Sequence, residues 1–371
     1  MDIRKLRKIE WLIPLFAIVL CIIGLIALYS ASYDTNLEEF KKQLIWIGVS
    51  VFLMLIVMYI DYKFLVKISP IFYGISILML IAVLFTKPIN GAKSWFVIGN
   101  DLFSFQPAEI SKIFIILFIS YVISFIQIKS GRDEINKIPK LLLILLIFAI
   151  PLGLIIIEPD YGTAVAYIIS FLLMIFVAGI DKKYIIISIL IVVIAMPIVY
   201  NFILPKHAKD RIDTFLNPES DPTGSGYNIL QSKLAIGSGQ ITGMGVLKGN
   251  QTQLGYLYPK TTDFIFAVIG EEMGFIVACS VILLNIMIIV KSIQIAKGIR
   301  DEAGAYVAIG IAGIFLFHTL ENVGMTMGLL PITGVPLLFV SYGGSSMMTS
   351  FIAIGILLNI SSQRRNGLFN K

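Results

Sequence analysis

The sequence predicts an all-α integral membrane protein, a single polytopic membrane domain over residues 1–371 with ten transmembrane helices. Of its 371 residues, 57% are hydrophobic and only 14% are charged, whereas soluble domains are about 45–50% apolar and about 25% charged. Apolar runs of roughly 20 residues, the length that crosses a bilayer core, recur along the chain. These observations exclude a soluble enzyme, a disordered chain and a disulfide scaffold.

The apolar runs define the predicted spans in order. They cover residues 12–30, 43–60, 66–85, 107–127, 139–157, 163–180, 184–203, 264–290, 304–323 and 335–360. The sixth run is short, and the tenth begins with an irregular part. The first run lacks a good cleavage site, so we expect a retained helix rather than a signal peptide. Cys21 and Cys279 fall in different spans, so no structural disulfide is expected.

Basic residues predict that the N and C termini are both cytoplasmic. Lys and Arg concentrate in alternate short connections, for example at Lys63, Lys129 and Lys182, and cytoplasmic connections carry such an excess. The net charge of +6 has the same explanation, so no nucleic acid is expected as a partner. Residues 204–262 then form a large extracytoplasmic loop between helices 7 and 8, which we expect to be ordered because residues 227–236 suit an amphipathic helix.

Charged and polar residues that this topology does not require gather at the outer ends of the spans. Ionisable groups at mid-membrane cost about 2.5–3.5 kcal/mol each, so we expect these side chains to face one outward-facing cavity. The candidates are Lys93, Trp95, Glu109, Lys112, Glu158, Asp160 and Asp263.

Two pairs among these candidates have both structural and functional interpretations. Glu109 and Lys112 are three residues apart, so they share a helix face and form either a neutralising pair or a cavity wall. Asp160 suits a helix cap, with Thr163 as the alternative cap. Glu158, at the end of an apolar span, is harder to explain by capping.

Asp263 is the strongest single candidate, because it lies where the outer loop enters the eighth span. This position suits a helix N-cap and a general base equally well. Desolvation beside apolar residues would raise the carboxyl pKa above its ordinary value of about 3.9. A general base that works near neutral pH requires such a shift. Glu271 and Glu272, two turns deeper, are interpreted as buried polar groups.

The outer loop also carries cations that indicate a polyanionic ligand such as a pyrophosphate. These candidates are Lys209, Arg211, Lys233 and Lys248. The glycine-rich residues 237–245 resemble a phosphate loop but lack the Walker pattern, so a compact loop with positive φ angles is favoured. His207 and His318 lie in different elements and predict no metal site. His318 is expected to form a hydrogen bond with Glu321 or Asn322.

Short motifs, taken in order, resemble the SEDS family (shape, elongation, division and sporulation). The resemblance covers almost the whole chain, and residues 90–95 are most similar to the RodA branch of the family. The motifs lie at residues 90–95, 105–109, 158–163, 226–228, 231–232, 235–239, 262–272 and 328–346.

The resemblance implies a peptidoglycan glycosyltransferase that polymerises lipid II into glycan strands at the outer face of the bacterial cytoplasmic membrane, during cell elongation and shape maintenance. The implied partners are lipid II, a class B penicillin-binding protein transpeptidase and other membrane proteins of the elongation complex. Asp263 matches the essential acid of the family, Glu109 and Lys112 its cavity pair, and Asp160 the acid of its Glu-Pro-Asp turn. Lys260 stands where many relatives have an acid.

Other interpretations remain open on the residues alone. A divalent cation, Mg²⁺ or Mn²⁺, held by Asp263 is the alternative to a general base. A lipid II flippase or transporter, a division or sporulation member of the family, and a non-catalytic scaffold are the alternative functions. Transporters usually place ionisable sites near the midplane, whereas the charged motifs here lie at outer ends of spans, which favours outer-leaflet chemistry.

Overall fold

The computed structural model describes residues 9–88, 92–98, 103–203 and 206–363. Within these ranges, nine helices are long and apolar enough to cross a membrane, and the chain is a multi-pass membrane protein. Basic residues near both termini, which belong to the predicted cytoplasmic excess, and two residues of the 90–95 motif lie outside the described ranges, and the side chain of His207 is likewise not described. They are Arg4, Lys5, Arg7, Lys8, Asn90, Gly91, Arg364, Arg365 and Lys371.

Helices dominate the described chain, and one short hairpin accompanies them. The helices are α1 Leu12–Ala31, α2 Glu38–Tyr59, α3 Tyr62–Val83, α4 Pro107–Ser130, α5 Ile138–Ile157, α6 Tyr161–Ala178, α7 Lys182–Ile198, α8 Lys206–Leu216, α9 Ser225–Ser238, α10 Asn250–Gln253, α11 Ile265–Gly298, α12 Glu302–Thr326 and α13 Gly344–Ser362. The strands β1 Phe96–Ile98 and β2 Phe103–Phe105 pair antiparallel, with Phe96 opposite Phe105. The all-α prediction therefore omitted this hairpin, which leads into α4.

Apart from α7, the predicted span boundaries lie within four residues of the observed helices, with three exceptions. α2 begins at Glu38 rather than at 43, because the helix starts before its apolar part. α11 continues to Gly298 rather than 290, since its last turns carry polar residues that hydropathy does not count as membrane. The tenth run is helical only from Gly344, because the prolines and glycines of residues 327–343 give an irregular connection.

The seventh predicted span corresponds to α7, which has 17 residues and continues into a π-helical turn at Val199–Ile203. At about 1.5 Å per residue, α7 is about 26 Å long, slightly less than a hydrocarbon core. α7 is therefore not among the nine long helices.

The centre of the bundle is built from α12 and α13. In their most apolar stretches 78% and 83% of residues are buried, against 22% in α2 and 28% in α5, which face outward. Small residues in α12 permit this close packing. A Cβ atom added to Gly313 would lie 2.8 Å from the Ser170 backbone of α6, and one added to Gly310 would meet Ile116 of α4.

Contacts between helix ends fall into two layers. In one layer, Ser30 Oγ at the end of α1 donates to Glu272 Oε1 in the first turns of α11, at 2.8 Å. In the other, Lys291 of α11 pairs with Glu10 at 3.0 Å, and Gln127 Nε2 of α4 donates to the last residue of α6 at 2.8 Å. α6 thus ends in the second layer and α11 begins in the first, and α7 lies between these two helices in the sequence.

Residues 206–262, between α7 and α11, contact the ends of other helices. Ser232 Oγ of α9 donates to the carbonyl of Thr326 at the end of α12, at 2.7 Å. Lys260 Nζ pairs with Asp34 Oδ2 at 2.9 Å, which ties the loop to the α1–α2 connection. Lys260 therefore has a bridging contact in this chain.

The glycine-rich part of the loop lies directly on α11. The backbone N–H groups of Met244 and Gly245 donate to the carbonyls of Glu271 and Glu272, both at 2.9 Å. Gly274 interrupts α11 with a φ of 80°, and Phe275 N then donates back to Gln240 O at 2.9 Å. These amide protons are used by the protein itself, which supports the compact-loop interpretation over a phosphate cradle.

Glu271 and Glu272 are buried, as expected, and both hold the loop. Glu271 accepts hydrogen bonds from the backbone N–H groups of Gln251 and Thr252, at 2.7 and 3.0 Å. Glu272 accepts from Ser30 Oγ and from Gln253 Nε2 at 3.0 Å. The two carboxylates therefore fasten α10 to α11 and α1.

Candidate functional site

Asp263 lies one residue before the N-cap of α11 and does not cap the helix. The N-cap is Phe264, and no side-chain capping hydrogen bond is present there. The capping interpretation of Asp263 is therefore wrong. Burial raises the pKa of this carboxyl above its ordinary value, while a hydrogen bond from Thr262 and the positive charge of Arg211 oppose the increase.

The backbone around Asp263 is held from two sides. Ser341 Oγ donates to the carbonyl of Thr262 at 2.7 Å, and Tyr342 N donates to the carbonyl of Thr261 at 3.0 Å. From α12, Asn322 Nδ2 donates to the carbonyl of Asp263 at 3.0 Å. These bonds all use main-chain oxygens of the loop, so they leave the Asp263 carboxylate free of this anchoring task.

The α12–α13 connection, residues 327–343, forms the wall opposite the carboxylate. Its Gly334 has a φ of +77°, and a Cβ atom built there would lie 3.6 Å from Asp263 Oδ2. Its Thr333 and Val335 press on the start of α6, where a Cβ atom on Gly162 would lie 2.6 Å from Val335 Cγ2. Irregular backbone at membrane depth is tolerated when it is enclosed by protein or lines a cavity.

A buried polar chain connects α4 to this connection. Lys112 Nζ lies 2.7 Å from Glu109 Oε1 and 2.9 Å from His318 Nε2, and His318 Nδ1 lies 3.0 Å from the carbonyl of Pro336. An ammonium group can only donate, so Nε2 accepts and Nδ1–H donates to Pro336. The predicted Glu109–Lys112 pair is confirmed. The pairing expected for His318 is wrong, since Glu321 instead accepts from Thr333 at 2.7 Å.

A small pocket, referred to below as the cavity, lies between α4, α5, α6 and α12. Lys112 and Tyr167 supply polar groups to its lining, which is otherwise mostly apolar. Asp263 does not line this cavity, so the cavity does not unite the predicted site residues. What joins α4 to the neighbourhood of Asp263 is the hydrogen-bonded chain through His318.

The turn between α5 and α6 holds two acids in different surroundings. Asp160 accepts from the backbone N–H of Thr163 at 3.1 Å, which confirms it as a cap, and from Gln106 Nε2 at 2.7 Å. Glu158 is fully buried, and neither carboxyl oxygen has a hydrogen-bond partner among the described residues. Burial, with a further contribution from the Asp160 charge, raises the pKa of Glu158 to about 8. Glu158 is therefore largely protonated at neutral pH.

The predicted pyrophosphate ligands differ in their contacts and exposure. Arg211 is the one whose charge acts on Asp263, and its Nη1 lies 3.4 Å from the carbonyl of Thr333. Lys209 instead donates to the carbonyl of Asn201 at 2.9 Å. Lys233 and Lys248 are exposed on the loop. Arg211 is therefore the cation best placed to act with Asp263.

Lys93 and Trp95 precede β1. Lys93 is exposed and Trp95 is half-buried. The paired strand β2 ends one residue before Gln106, whose backbone N–H bonds Ser345 Oγ at 3.0 Å and whose side chain reaches Asp160. The hairpin thus connects the Trp95 segment to the ends of α4, α6 and α13.

Described residues provide no group of three or more His, Cys, Asp or Glu side chains that could hold a metal ion. Asp263 would be a single carboxylate ligand beside a guanidinium group. A Mg²⁺ ion can be bound by one or two carboxylates when water and substrate phosphates complete its shell. The residues fit such a shared ion, although they do not build a closed metal site.

Sequence reasoning missed the residues that link these parts. Gln106 and Asn322 each bond two other elements around the site, and Ser341 bonds the loop before α11. The sequence offered one indication for Asn322. A polar amide near the outer end of a span lowers stability unless it has hydrogen-bond partners. Ser341 had none beyond its place in a family motif.

The chain matches a family model and several known proteins. The FtsW/RodA/SpoVE model, described as cell cycle protein, matches residues 10–366. The peptidoglycan glycosyltransferase RodA of Treponema pallidum is 31% identical, over 98% of this chain and 100% of that protein. Stage V sporulation protein E of Bacillus subtilis is 34% identical, over 96% and 98%. The peptidoglycan glycosyltransferase MrdB of Escherichia coli is 32% identical, over 95% and 93%.

Two solved structures share this fold. The crystal structure of the rod shape determining protein RodA of Thermus thermophilus aligns with a TM-score of 0.72 at 22% identity, over 97% of this chain and 98% of that chain. A chain of a peptidoglycan synthase complex, described as coordinating polymerization and crosslinking, aligns with a TM-score of 0.81 at 24% identity, over 97% and 99%.

Proposed function

The chain belongs to the FtsW/RodA/SpoVE family, and from this premise we propose that it is a peptidoglycan glycosyltransferase. It polymerises lipid II into glycan strands at the outer face of the bacterial cytoplasmic membrane. Relatives that match almost the whole chain carry this activity in their names. The observation that carries the proposal is Asp263, a carboxylate with a raised pKa beside Arg211, on a loop held at three consecutive carbonyls.

Asp263 acts as the general base. It takes the proton from the 4-hydroxyl of the acceptor GlcNAc, and that oxygen forms a bond to the anomeric carbon of the donor MurNAc. The bond from this carbon to the diphosphate oxygen breaks, and undecaprenyl pyrophosphate leaves with the electron pair. The raised pKa of Asp263 brings its basicity closer to working pH than that of an ordinary carboxylate.

Arg211 stabilises the departing diphosphate. Preorganised positive charge near a developing anion contributes strongly in a water-poor site. Lys233 and Lys248 lie farther along the loop and contribute to lipid II capture rather than to the reacting bond. Glu109, Lys112, Asp160, Glu158, Trp95 and Lys93 position the helix ends around Asp263 and the substrate.

A divalent cation, Mg²⁺ or Mn²⁺, is the alternative route for charge neutralisation. Asp263 would hold it, and the ion would neutralise the diphosphate when bound. In that case Asp263 carries no catalytic proton, and polymer formation requires added Mg²⁺ or Mn²⁺ and stops with EDTA. Activity that persists in EDTA supports the general-base role.

The topology has ten spans with both termini cytoplasmic, which makes the loop 204–262 extracytoplasmic. The support comes from the two layers of helix-end contacts, because α7 must join the end of α6 to the layer that contains the start of α11. The protein then presents Asp263 to lipid II in the outer leaflet.

The working partner is a class B penicillin-binding protein that crosslinks the new strands, together with other elongation-complex membrane proteins. The structural relative from a peptidoglycan synthase complex supports this assignment. Among the family roles, elongation and shape maintenance are favoured by the sequence around Trp95 over division or sporulation.

Labelled lipid II and purified protein test the function. Wild-type protein is expected to form glycan polymer, and Asp263→Asn, which retains shape but not basicity, is expected to lose at least about 100-fold in rate. Asp210→Asn removes an exposed acid in the same loop and should polymerise normally. Transbilayer movement of lipid II without polymer would instead establish a flippase.

A further inference from the structure

We propose that Asn322 is a positioning residue for Asp263, fixing the loop that carries the base against the wall that faces it. The inference rests on the proposed glycosyltransferase function. It assigns to one amide group of α12 the alignment of two segments that are far apart in sequence.

The side-chain nitrogen of Asn322 bridges two backbone carbonyls. Asn322 Nδ2 lies 3.0 Å from the carbonyl of Asp263 and 2.9 Å from the carbonyl of Val335. An amide group has two N–H donors, so one goes to the loop before α11 and the other to the α12–α13 connection. Moving either segment breaks one of the two bonds.

The bridged segments meet at the reacting group. Val335 follows Gly334, whose built Cβ atom would lie 3.6 Å from Asp263 Oδ2. The same connection receives the His318 bond at Pro336, so it is also tied to the Glu109–Lys112 pair. Asn322 thus connects the base to the polar chain of α4 through the main chain at Val335 and Pro336.

Burial of the Asn322 amide lowers the stability of the fold at this position. Its side chain is fully buried, and its Oδ1 atom has no hydrogen-bond partner among the described residues. A buried acceptor without a partner lowers stability, and Asn322 carries this cost while its amide nitrogen pairs two carbonyls from separate segments. Residues that break a packing rule are expected where function requires them.

The position of Asp263 affects the reaction rate through the distance between its carboxylate and the acceptor hydroxyl. A base must lie within hydrogen-bond reach of the proton it abstracts, and a displacement of about 1 Å can cost about 100-fold in rate. Substrate binding by the loop cations does not pass through Asn322. Loss of the bridge should therefore lower kcat far more than it raises KM.

Asn322→Leu tests the proposal, because it removes both donors at similar size. Asn285→Leu is the matched control, since Asn285 is also buried but its Nδ2 returns to Val281 within α11. We expect Asn322→Leu to lower kcat for lipid II by about 10- to 100-fold with KM changed less than about threefold. Asn285→Leu should keep kcat within about threefold of wild type. Wild-type kcat in Asn322→Leu overturns the proposal, as does an equal loss in both variants.

Hydrogen exchange of the backbone in residues 259–264 gives a readout that does not depend on activity. The bridge predicts faster exchange there in Asn322→Leu than in wild type, and unchanged exchange in Asn285→Leu. Unchanged exchange in both variants overturns the positioning role. If the wild-type protein makes no polymer while exchange in Asn322→Leu is faster, the proposed function fails and the bridge stands.

Discussion

Asp263 and Glu158 are two carboxyl groups that burial makes reluctant to ionise, but their surroundings differ. For Asp263, a hydrogen bond from Thr262 and the charge of Arg211 oppose the rise in pKa, because both favour the ionised form. For Glu158, no neighbouring group opposes the rise in pKa, and the negative charge of Asp160 adds to it. The first is therefore suited to exchange protons, whereas the second retains one.

Replacing Arg211 by Gln should move the acid limb of the pH–rate profile to higher pH. The positive charge lowers the pKa of Asp263, so its loss lets the base protonate at higher pH, and turnover at pH 6 should fall several-fold relative to pH 8. Polymerisation rates measured from pH 5 to 9 test this. Lys209→Gln, which alters a cation two residues away, should leave the limb in place; an unmoved limb in Arg211→Gln contradicts the expectation.

Glu158 should make stability depend on pH. Its pKa rises from an ordinary 4.5 to about 8 on folding, so the folded protein binds this proton more tightly than the unfolded chain. The associated stability is fully present below pH 4.5 and is lost as the pH rises through 8. In detergent, the melting temperature of wild type should fall between pH 6 and 9 more steeply than that of Glu158→Gln. Equal slopes would show that Glu158 does not retain its proton.

Single residues were predictable where chemistry made them conspicuous. Asp263, Glu109 and Lys112 stand out because ionisable groups are costly among apolar residues. The Asn322–Asp263 bond was not predictable, because its ends are 59 residues apart and its acceptor is a backbone carbonyl, which every residue has. The sequence shows the donor, Asn322, but nothing in it identifies the carbonyl of Asp263 as the acceptor.

Among the elements, α11 and the glycine-rich loop behave as one unit. The break at Gly274 lets Phe275 N bond the loop, while Met244 N and Gly245 N bond the turn before the break. The apolar pattern identified α11 as a span but not its break, because an isolated glycine is tolerated inside a helical pattern.

Gly274→Ala should be strongly destabilising. Gly274 has a φ of +80°, and an added Cβ atom would lie 2.3 Å from Gly243 N, so both strain and overlap oppose the substitution, at about 3 kcal/mol or more. Gly237→Ala in α9 is the control, because its Cβ atom would meet nothing within 4 Å. Thermal unfolding in detergent should show a large decrease for the first and little change, or a small increase, for the second. Similar melting temperatures for both variants would contradict the close approach.

At the scale of the whole molecule, the number of spans depends on whether α7 crosses the membrane. Nine helices in the described ranges meet the length and hydropathy of a span, and the proposed tenth crossing falls to the 17-residue α7. Composition and the length of the apolar runs were sufficient to find these nine helices. They could not show how the runs pack, because the central helices α12 and α13 are no more hydrophobic than the outward-facing α2 and α5.

Cysteine labelling should confirm the ten-span topology. Cys21 and Cys279 are free and can be replaced by Ala. In that background, Ser220→Cys in the loop after α7 should react with a membrane-impermeant maleimide on intact cells. Asp133→Cys, between α4 and α5, should react only after permeabilisation. Reaction of both positions in intact cells would mean that α7 does not cross.

The anchoring of the Asp263 loop through its carbonyl groups has a genetic consequence. Ser341, Tyr342 and Asn322 bond main-chain oxygens of residues 261–263, whichever side chain occupies position 263. An allele that encodes the Asp263→Asn substitution should therefore yield a folded but inactive subunit, which still occupies the places meant for the active enzyme. Such an allele is expected to be dominant over the wild-type gene, whereas an allele that merely unfolds the protein is expected to be recessive.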